Sequence, residues 1–204
     1  VDYDGSETVK CYLAAQLELE KAMESLIRQL EEAGIADNTV IVISPDHYPY
    51  GLERSATWKN TENYLNELYG VTEVDRFTRD SNALIIWSGC LEDKNLKVET
   101  PVYSLDILPT LSNLFGLNYD SRLLVGRDVF SDTEPLVLWP EYSWKTDKGT
   151  YDSGSRTFTP AEGVEVDDSY VDRIKAIVSN KISYSREVQN LKYFQVLSDF
   201  LNGK

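Results

Sequence analysis

The sequence contains few cysteine and histidine residues, the side chains on which many metal-binding and catalytic sites depend. It has one histidine, two cysteines and one methionine among 204 residues. Cys11 and Cys90 belong to no CxxC sequence and to no cysteine–histidine cluster, so we expect two unpaired, part-buried thiols. Ser44 lies outside a G-x-S-x-G sequence and the chain has no second histidine, which excludes a serine-hydrolase triad within these residues.

Positive charge and long apolar runs are also scarce. Lysine and arginine number 20 against 34 acidic residues, and the formal net charge of −14 argues against binding to nucleic acid or to an anionic membrane surface. No apolar run approaches the length of about 18 residues that a membrane-spanning helix needs. The N-terminal sequence VDYDGSETVK lacks an initiator methionine and the features of a signal peptide, and we expect the chain to be a piece of a longer protein.

The N-terminal part of the chain predicts a helix followed by a buried strand. Apolar residues recur at spacings of three and four from residue 9 to about residue 33, which is typical of an amphipathic helix. Gly34 is suited to the C-terminal cap of that helix. Residues 39–44, TVIVIS, are mostly β-branched and apolar on both faces, which favours a strand covered on two sides in a parallel sheet.

The rest of the chain alternates helix and strand patterns. We predict strands at 83–87 and 136–140 and helices at 59–69, at 103–117 and, as one or two helices, at 168–201. Pro109 either kinks the helix at 103–117 or opens its main turn. Residues 147–149 join two alternating stretches into a hairpin. The order of elements predicts an α/β fold: a three-layer αβα sandwich with a largely parallel sheet.

Several side chains have both a structural and a functional interpretation. The aromatic residues of the hairpin region either pack the hairpin against the sheet, which cross-strand aromatic pairing favours, or stack a sugar or lipid head group. They are Trp139, Tyr142, Trp144 and Tyr151. Arg79 and Arg127 either contact an anionic substrate or form surface ion pairs. Asp106 either serves chemistry or simply caps or orients its helix.

The only histidine, His47, follows Asp46 directly after the predicted strand at 39–44, where Pro45 stops the strand. In parallel α/β sheets, ligands gather beyond the carboxyl ends of the strands. A carboxylate and a neutral imidazole suit Zn²⁺ or Mn²⁺, although the same pair also forms surface salt bridges. Two ligands do not complete a metal site, so the others must be carboxylates, hydroxyls or residues outside this chain.

Three stretches, in order along residues 9–152, resemble one superfamily. The stretch YLAAQLELEKAMESLIRQLEEAGIADNTVIVISPDH resembles the helix and strand that precede an Asp-His pair of metal ligands in the alkaline-phosphatase superfamily. In its sulfatase and phosphoglycerol-transferase branches, G-x-x-D-N-T leads into that strand. SLDILPTLSNLFGL followed by VGRDVFSD is similar to the downstream D-x-x-P-T-x-x-x-x-x-G helix and Gly-Arg-Asp segment. PLVLWPEYSWKTDKGTY is similar to the late strand and hairpin of lipoteichoic-acid-synthase-like enzymes.

The resemblance implies that residues 1–204 form a single domain, the C-terminal part of a larger sulfatase-like catalytic domain. It implies transfer or hydrolysis of phosphoryl or sulfuryl esters by a metal-activated Thr, Ser or modified Cys nucleophile. Asp46 and His47 correspond to two ligands of a divalent metal, with Mn²⁺ favoured over Zn²⁺, Mg²⁺ and Ca²⁺. The family's nucleophile and first acidic ligand lie upstream of this chain, so we expect no catalytic residue here, weak metal binding and no activity of these residues alone.

The resemblance also implies partners and a location for the parent protein. The substrate would be a phosphate or sulfate ester, with lipid-linked phosphoglycerol as one candidate, and the parent would be membrane-anchored with this domain on the extracellular face of the cell membrane. Sulfatase and phosphoethanolamine-transferase assignments stay open beside the lipoteichoic-acid branch. A non-catalytic binding or scaffold module of the same fold also stays open, as does a dimer through an exposed sheet edge.

Overall fold

The computed structural model describes residues 2–57, 59–60, 62–91 and 96–203 and falls into two compact units, Val1–Asn95 and Leu96–Lys204. The first unit contains α1 (Glu7–Glu32), β1 (Val40–Ile43), α2 (Tyr64–Tyr69), α3 (Arg76–Arg79) and β2 (Ile85–Ser88). The second contains α4 (Ile107–Leu114), β3 (Val137–Leu138), β4 (Trp144–Thr146), β5 (Gly149–Asp152), β6 (Thr157–Pro160), α5 (Tyr170–Asn190) and α6 (Tyr193–Leu201). Among the helices described, none is long and apolar enough to span a bilayer.

Helix α1 confirms the helix predicted for the N-terminal part, although its apolar side is largely uncovered, with Leu19 53% and Leu26 41% exposed. Ser6 caps its start, because the Ser6 hydroxyl accepts the backbone N–H of Val9 at 3.3 Å. Gly34 follows its end with φ 68°, the left-handed conformation that glycine adopts without a Cβ penalty. Both cysteines are free, as predicted, but Cys11 and Cys90 are exposed rather than part-buried.

The prediction of a parallel sheet is wrong for the strands described. Strand β1 pairs antiparallel with β2, with Ile41 opposite Trp87 and Val42 opposite Ile86. An apolar pattern on both faces indicates that a strand is covered on both sides, but it does not indicate the direction of the neighbouring strand. The pattern therefore could not distinguish parallel from antiparallel pairing. The two faces are also not fully covered in this unit, because Val40 is 40% and Ile85 51% exposed. The three-layer arrangement is not confirmed, whereas mixed helix and sheet content is.

The predicted strand at 136–140 and the predicted hairpin form a second sheet. Strands β3, β4, β5 and β6 lie in that order and every pair is antiparallel. The turn about residues 147–149 is confirmed, since Thr146 pairs with Gly149. The sequence pattern did not show that β6 is a strand separate from the hairpin. It also did not place β3 beside the hairpin, because β3 is only two residues long and pairs with β4 rather than with β1 or β2.

The core of the second unit is aromatic and lies between this sheet and α5. It consists of Trp144, Tyr151, Tyr170, Ile174 and Val178. The rings of Trp144 and Tyr151 stack with centroids 5.5 Å apart, and Tyr170 of α5 meets Trp144 edge-on at 6.1 Å. Packing is therefore the role of Trp144 and Tyr151, although they pack on a helix and not on a parallel sheet.

The predicted helix at 103–117 begins as a 3₁₀ turn, Ser104–Asp106, and continues as α4. Pro109 is buried in the first turn of α4, so it opens this helix and does not kink it. Gly116 ends the segment with φ 63°. The helix predicted at 59–69 is shorter, Tyr64–Tyr69, and Thr61 of that range lies outside the described residues.

Candidate functional site

Asp46 and His47 lie on the loop that leaves β1. The strand ends at Ile43, and Pro45 supplies no N–H for further pairing with a neighbouring strand. The loop then enters a 3₁₀ turn, Tyr50–Leu52. The side chain of Asp46 is 87% exposed and that of His47 47% exposed, so both face open solvent and are accessible to an ion or a substrate.

The two side chains converge despite being neighbours in sequence. His47 Nε2 lies 3.5 Å from Asp46 Oδ2. Two ligand atoms that each lie about 2.1 Å from one tetrahedral ion are about 3.4 Å apart. The turn at Pro45 therefore gives the pair the separation that two ligands of a single small ion require.

A backbone hydrogen bond fixes the protonation pattern of the imidazole. His47 Nδ1 lies 2.8 Å from the carbonyl oxygen of Tyr48, and because a carbonyl only accepts, Nδ1 carries the proton. In the neutral ring, Nε2 then presents a lone pair toward the Asp46 carboxylate. Two lone-pair atoms that face each other at this distance are stabilised by a shared cation, which is either a proton on Nε2 or a metal ion.

An aromatic and basic support, which we call the tyrosine–arginine stack, adjoins the pair. It consists of Tyr48, Tyr50 and Arg79. The Tyr50 ring lies 4.3 Å from the His47 ring, centroid to centroid, with the two planes tilted by 42°. Tyr48 meets Tyr50 edge-on at 6.3 Å, and the Arg79 guanidinium carbon lies 4.2 Å from the Tyr48 ring centroid. Burial raises the pKa of the Tyr48 hydroxyl, so it stays protonated at neutral pH.

Sequence reasoning identified part of this arrangement. It singled out Asp46, His47 and Arg79, and all three lie in this one region of the first unit. It missed Tyr48 and Tyr50, although the sequence YPY directly after the histidine was a usable signal. Over the described ranges, no group of three or more His, Cys, Asp and Glu side chains is placed to hold a metal ion. The donors present fit two positions of a metal site and not a complete one.

Asp106 and Arg127 belong to the second unit and have structural roles. Asp106 Oδ1 accepts the backbone N–H of Arg127 at 2.8 Å, and its Oδ2 accepts that of Tyr103 at 3.2 Å. The Arg127 guanidinium points to backbone carbonyls and to Thr100 Oγ1, at 3.3 to 3.5 Å. These contacts orient the start of α4, which agrees with the structural one of the two interpretations that the sequence left open for Asp106.

Comparisons with known proteins agree with the motifs. A family model described as Sulfatase matches residues 2–117, more than half of the chain. Lipoteichoic acid synthase 1 of Bacillus subtilis (strain 168) is 26% identical over 200 residues, which cover 96% of this chain and 30% of that protein. Lipoteichoic acid synthase of Staphylococcus aureus (strain USA300) is 29% identical over 140 residues, which cover 66% of this chain and 20% of that protein.

The chain thus spans less than a third of the length of these two relatives. The matched segment, residues 2–117, includes α1, β1 and the Asp46–His47 pair. The resemblance drawn from the sequence motifs is confirmed at the level of the family and its lipoteichoic acid synthase relatives. This chain belongs to the sulfatase family.

Proposed function

We propose that the chain supplies part of the metal centre of an enzyme that transfers or hydrolyses phosphoryl or sulfuryl esters, with Asp46 and His47 as two metal ligands. The observation that carries this proposal is the 3.5 Å separation of Asp46 Oδ2 and His47 Nε2, with Nδ1 engaged by a carbonyl. A divalent metal, when bound, would polarise the ester and offset the negative charge that develops on it. Membership of the sulfatase family supports this class of reaction.

The residues of the pair have distinct tasks in this proposal. Asp46 supplies a carboxylate whose exposure leaves room for an ester and for further ligands. His47 supplies Nε2, and the hydrogen bond from Nδ1 to Tyr48 keeps the proton on the other nitrogen. One oxygen and one imidazole nitrogen are compatible with Mn²⁺ or Zn²⁺, and the family resemblance favours Mn²⁺.

The remaining parts of the site come from outside these residues in our proposal. A catalytic zinc-type site holds about three protein ligands, and the described residues bring together two. We infer that the nucleophile and the further ligands lie elsewhere in the parent protein. Residues 1–204 alone would then bind metal weakly and be inactive. From the family resemblance of the sequence motifs, we propose lipid-linked phosphoglycerol as a candidate substrate and a membrane-anchored parent that acts outside the cell. The two relatives compared are named lipoteichoic acid synthases.

Calorimetric titration of the 204-residue chain with Mn²⁺ and with Zn²⁺ tests the proposal. Wild type is compared with His47→Ala and Asp46→Asn, and Asp132→Asn, an exposed carboxylate in the second unit, is the matched control. We expect His47→Ala and Asp46→Asn each to weaken binding about tenfold or more, and Asp132→Asn to bind as wild type does. Equal binding by all four proteins would overturn the assignment and favour a non-catalytic module of the same fold.

A further inference from the structure

The tyrosine–arginine stack lies beside the imidazole, and its arginine is held from several sides. Arg79 Nε donates to Asp80 Oδ1 at 2.8 Å, and its Nη1 lies 3.5 Å from Glu53 Oε1. The Tyr69 hydroxyl donates to the backbone carbonyl of Arg79 at 3.0 Å. The hydrogen bond to Asp80 raises the pKa of the Arg79 guanidinium, so it remains a cation over the working pH range. The position of Arg79, at the end of α3, is therefore fixed by contacts with Asp80, Glu53 and Tyr69.

From Arg79 the contacts continue to the histidine. The cation lies over the face of the Tyr48 ring, which is the favourable side for a cation–π contact. Tyr48 contacts Tyr50 edge-on, and its backbone carbonyl accepts the proton of His47 Nδ1. The Tyr50 ring contacts the His47 ring in a tilted arrangement. The imidazole thus has a contact that sets its plane and a hydrogen bond that sets its tautomer.

We propose that the tyrosine–arginine stack is a positioning element that holds His47 in its Nδ1–H form with Nε2 turned toward Asp46. Tyr50 acts directly on the ring, and Arg79 acts through Tyr48. None of the three is a metal ligand in this proposal. It rests on the proposed function for its purpose, since an Nε2 lone pair beside a carboxylate has a use when a metal ion is bound. The geometry itself can be tested without any metal.

The chain offers an unusually direct test because it contains one histidine. Nitrogen-15 labelling of histidine gives the side-chain signals of His47 alone, and their shifts report which ring nitrogen carries the proton. When the imidazole is neutral, we expect the metal-free wild type to be mainly the Nδ1–H form, because Nδ1 donates to the Tyr48 carbonyl. Tyr50→Leu should move the equilibrium toward the Nε2–H form, whereas Tyr50→Phe, which keeps the ring, should leave it unchanged.

Arg79→Gln should move the equilibrium in the same direction by a smaller amount, because it acts on His47 through Tyr48. The matched controls lie in the second unit: Tyr184→Leu replaces a tyrosine that is 40% exposed, against 43% for Tyr50. Arg173→Gln removes another cation–π contact, at 5.2 Å from the Tyr170 ring. Neither control should change the His47 signals. A wild type that is mainly Nε2–H, or an equal tautomer ratio in wild type, Tyr50→Leu and Arg79→Gln, would overturn the positioning proposal.

A Zn²⁺ titration of the same proteins separates this proposal from the proposed function. We expect Tyr50→Leu to weaken Zn²⁺ binding about tenfold and Arg79→Gln about twofold to fivefold, with both control variants like wild type. If wild type binds Zn²⁺ through His47 but the stack variants keep both tautomer and affinity, the positioning proposal fails and the metal assignment stands. If the tautomer responds to the stack as expected but His47→Ala leaves Zn²⁺ affinity unchanged, the positioning proposal holds and the metal assignment fails.

Discussion

Asp106 joins two segments that are 21 residues apart, because its carboxylate accepts the backbone N–H of Arg127 at 2.8 Å. The same carboxylate accepts the N–H of Tyr103 at the start of the 3₁₀ turn, at 3.2 Å. Burial raises the pKa of Asp106, and the two backbone hydrogen bonds oppose that effect. Asp106 therefore organises the junction of α4 with the Gly-Arg-Asp segment.

Asp106→Asn should lower the free energy of unfolding by about 1 to 3 kcal/mol. Both carboxylate oxygens accept a backbone N–H, so an amide nitrogen in either position would face a donor. Urea denaturation at neutral pH measures the effect. Asp132→Asn, at an exposed carboxylate, is the control and should change stability by no more than about 0.5 kcal/mol. Equal stability of the two variants would contradict the role given to Asp106.

The sequence predicted the local features of this chain well and its strand pairing poorly. Helix α1 was predictable because its apolar spacing and its Gly34 terminus are both encoded within neighbouring residues. The antiparallel pairing of β1 with β2 was not, because an apolar run carries no information about the direction of a partner more than 40 residues away. The direction of strand pairing depends on how all the elements of the unit pack together, and the residue pattern of one strand does not contain that information.

The candidate site also has features that the sequence predicts and features that it does not. Asp46 and His47 could be found from two adjacent residues after a strand that ends at Pro45. The contact between Arg79 and Tyr48 could not, because Arg79 reaches Tyr48 from α3, 31 residues further along the chain. No spacing rule connects a loop tyrosine to a helix arginine at that distance. Tertiary contacts of this kind become visible in a structure.

Glu67 should make stability depend on pH in the acidic range. Its Oε1 accepts the backbone N–H of Ser6 at 2.7 Å and the hydroxyl of Tyr3 at 3.0 Å. Hydrogen bonding from Ser6, followed by that from Tyr3, lowers the pKa of the Glu67 carboxyl below its ordinary 4.5. A carboxyl whose pKa is lower in the folded state contributes stability above its unfolded pKa and loses it as the pH falls through the folded pKa.

The measurement is the free energy of unfolding of wild type and Glu67→Gln at several pH values between about 5 and about 3. The advantage of wild type should be constant at the upper end of this range and should shrink as the pH falls. The effect will be modest, because Glu67 is near the surface and solvent screens its contacts. An advantage that grows on acidification would show that the pKa is raised instead.

Trp144→Ala should destabilise the second unit by about 3 to 5 kcal/mol. Trp144 is fully buried and contacts Tyr151, Phe158 and Tyr170 within the aromatic core. Phe200→Ala removes an aromatic ring that is 77% exposed on α6 and should change stability by about 0.5 kcal/mol or less. Thermal and urea unfolding of the two variants measure the loss of stability in each. Similar losses in both would mean that the core is not centred on Trp144.

Gly126→Ala should also be destabilising, by about 1 to 3 kcal/mol, because a Cβ at this position would overlap the backbone carbonyl of Leu105. Backbone atoms cannot rotate away as a side chain can. Gly51→Ala is the matched control, since a Cβ there meets no atom within 4 Å and φ is not in the left-handed region. It should be neutral or slightly stabilising. If both alanine variants unfold at the same denaturant concentration, the close approach of Gly126 to Leu105 is not real.

The most direct test of the metal assignment is the broadening of His47 signals by substoichiometric Mn²⁺, since a paramagnetic ion broadens the nuclei nearest to it. The chain is labelled on histidine and on the backbone, and wild type is compared with Asp46→Asn. We predict that the His47 ring signals broaden at lower Mn²⁺ concentrations than the amides of the second unit do, and that Asp46→Asn removes this preference. Broadening that begins at other acidic residues, or that is unchanged in Asp46→Asn, would contradict the assignment of Asp46 and His47 as metal ligands.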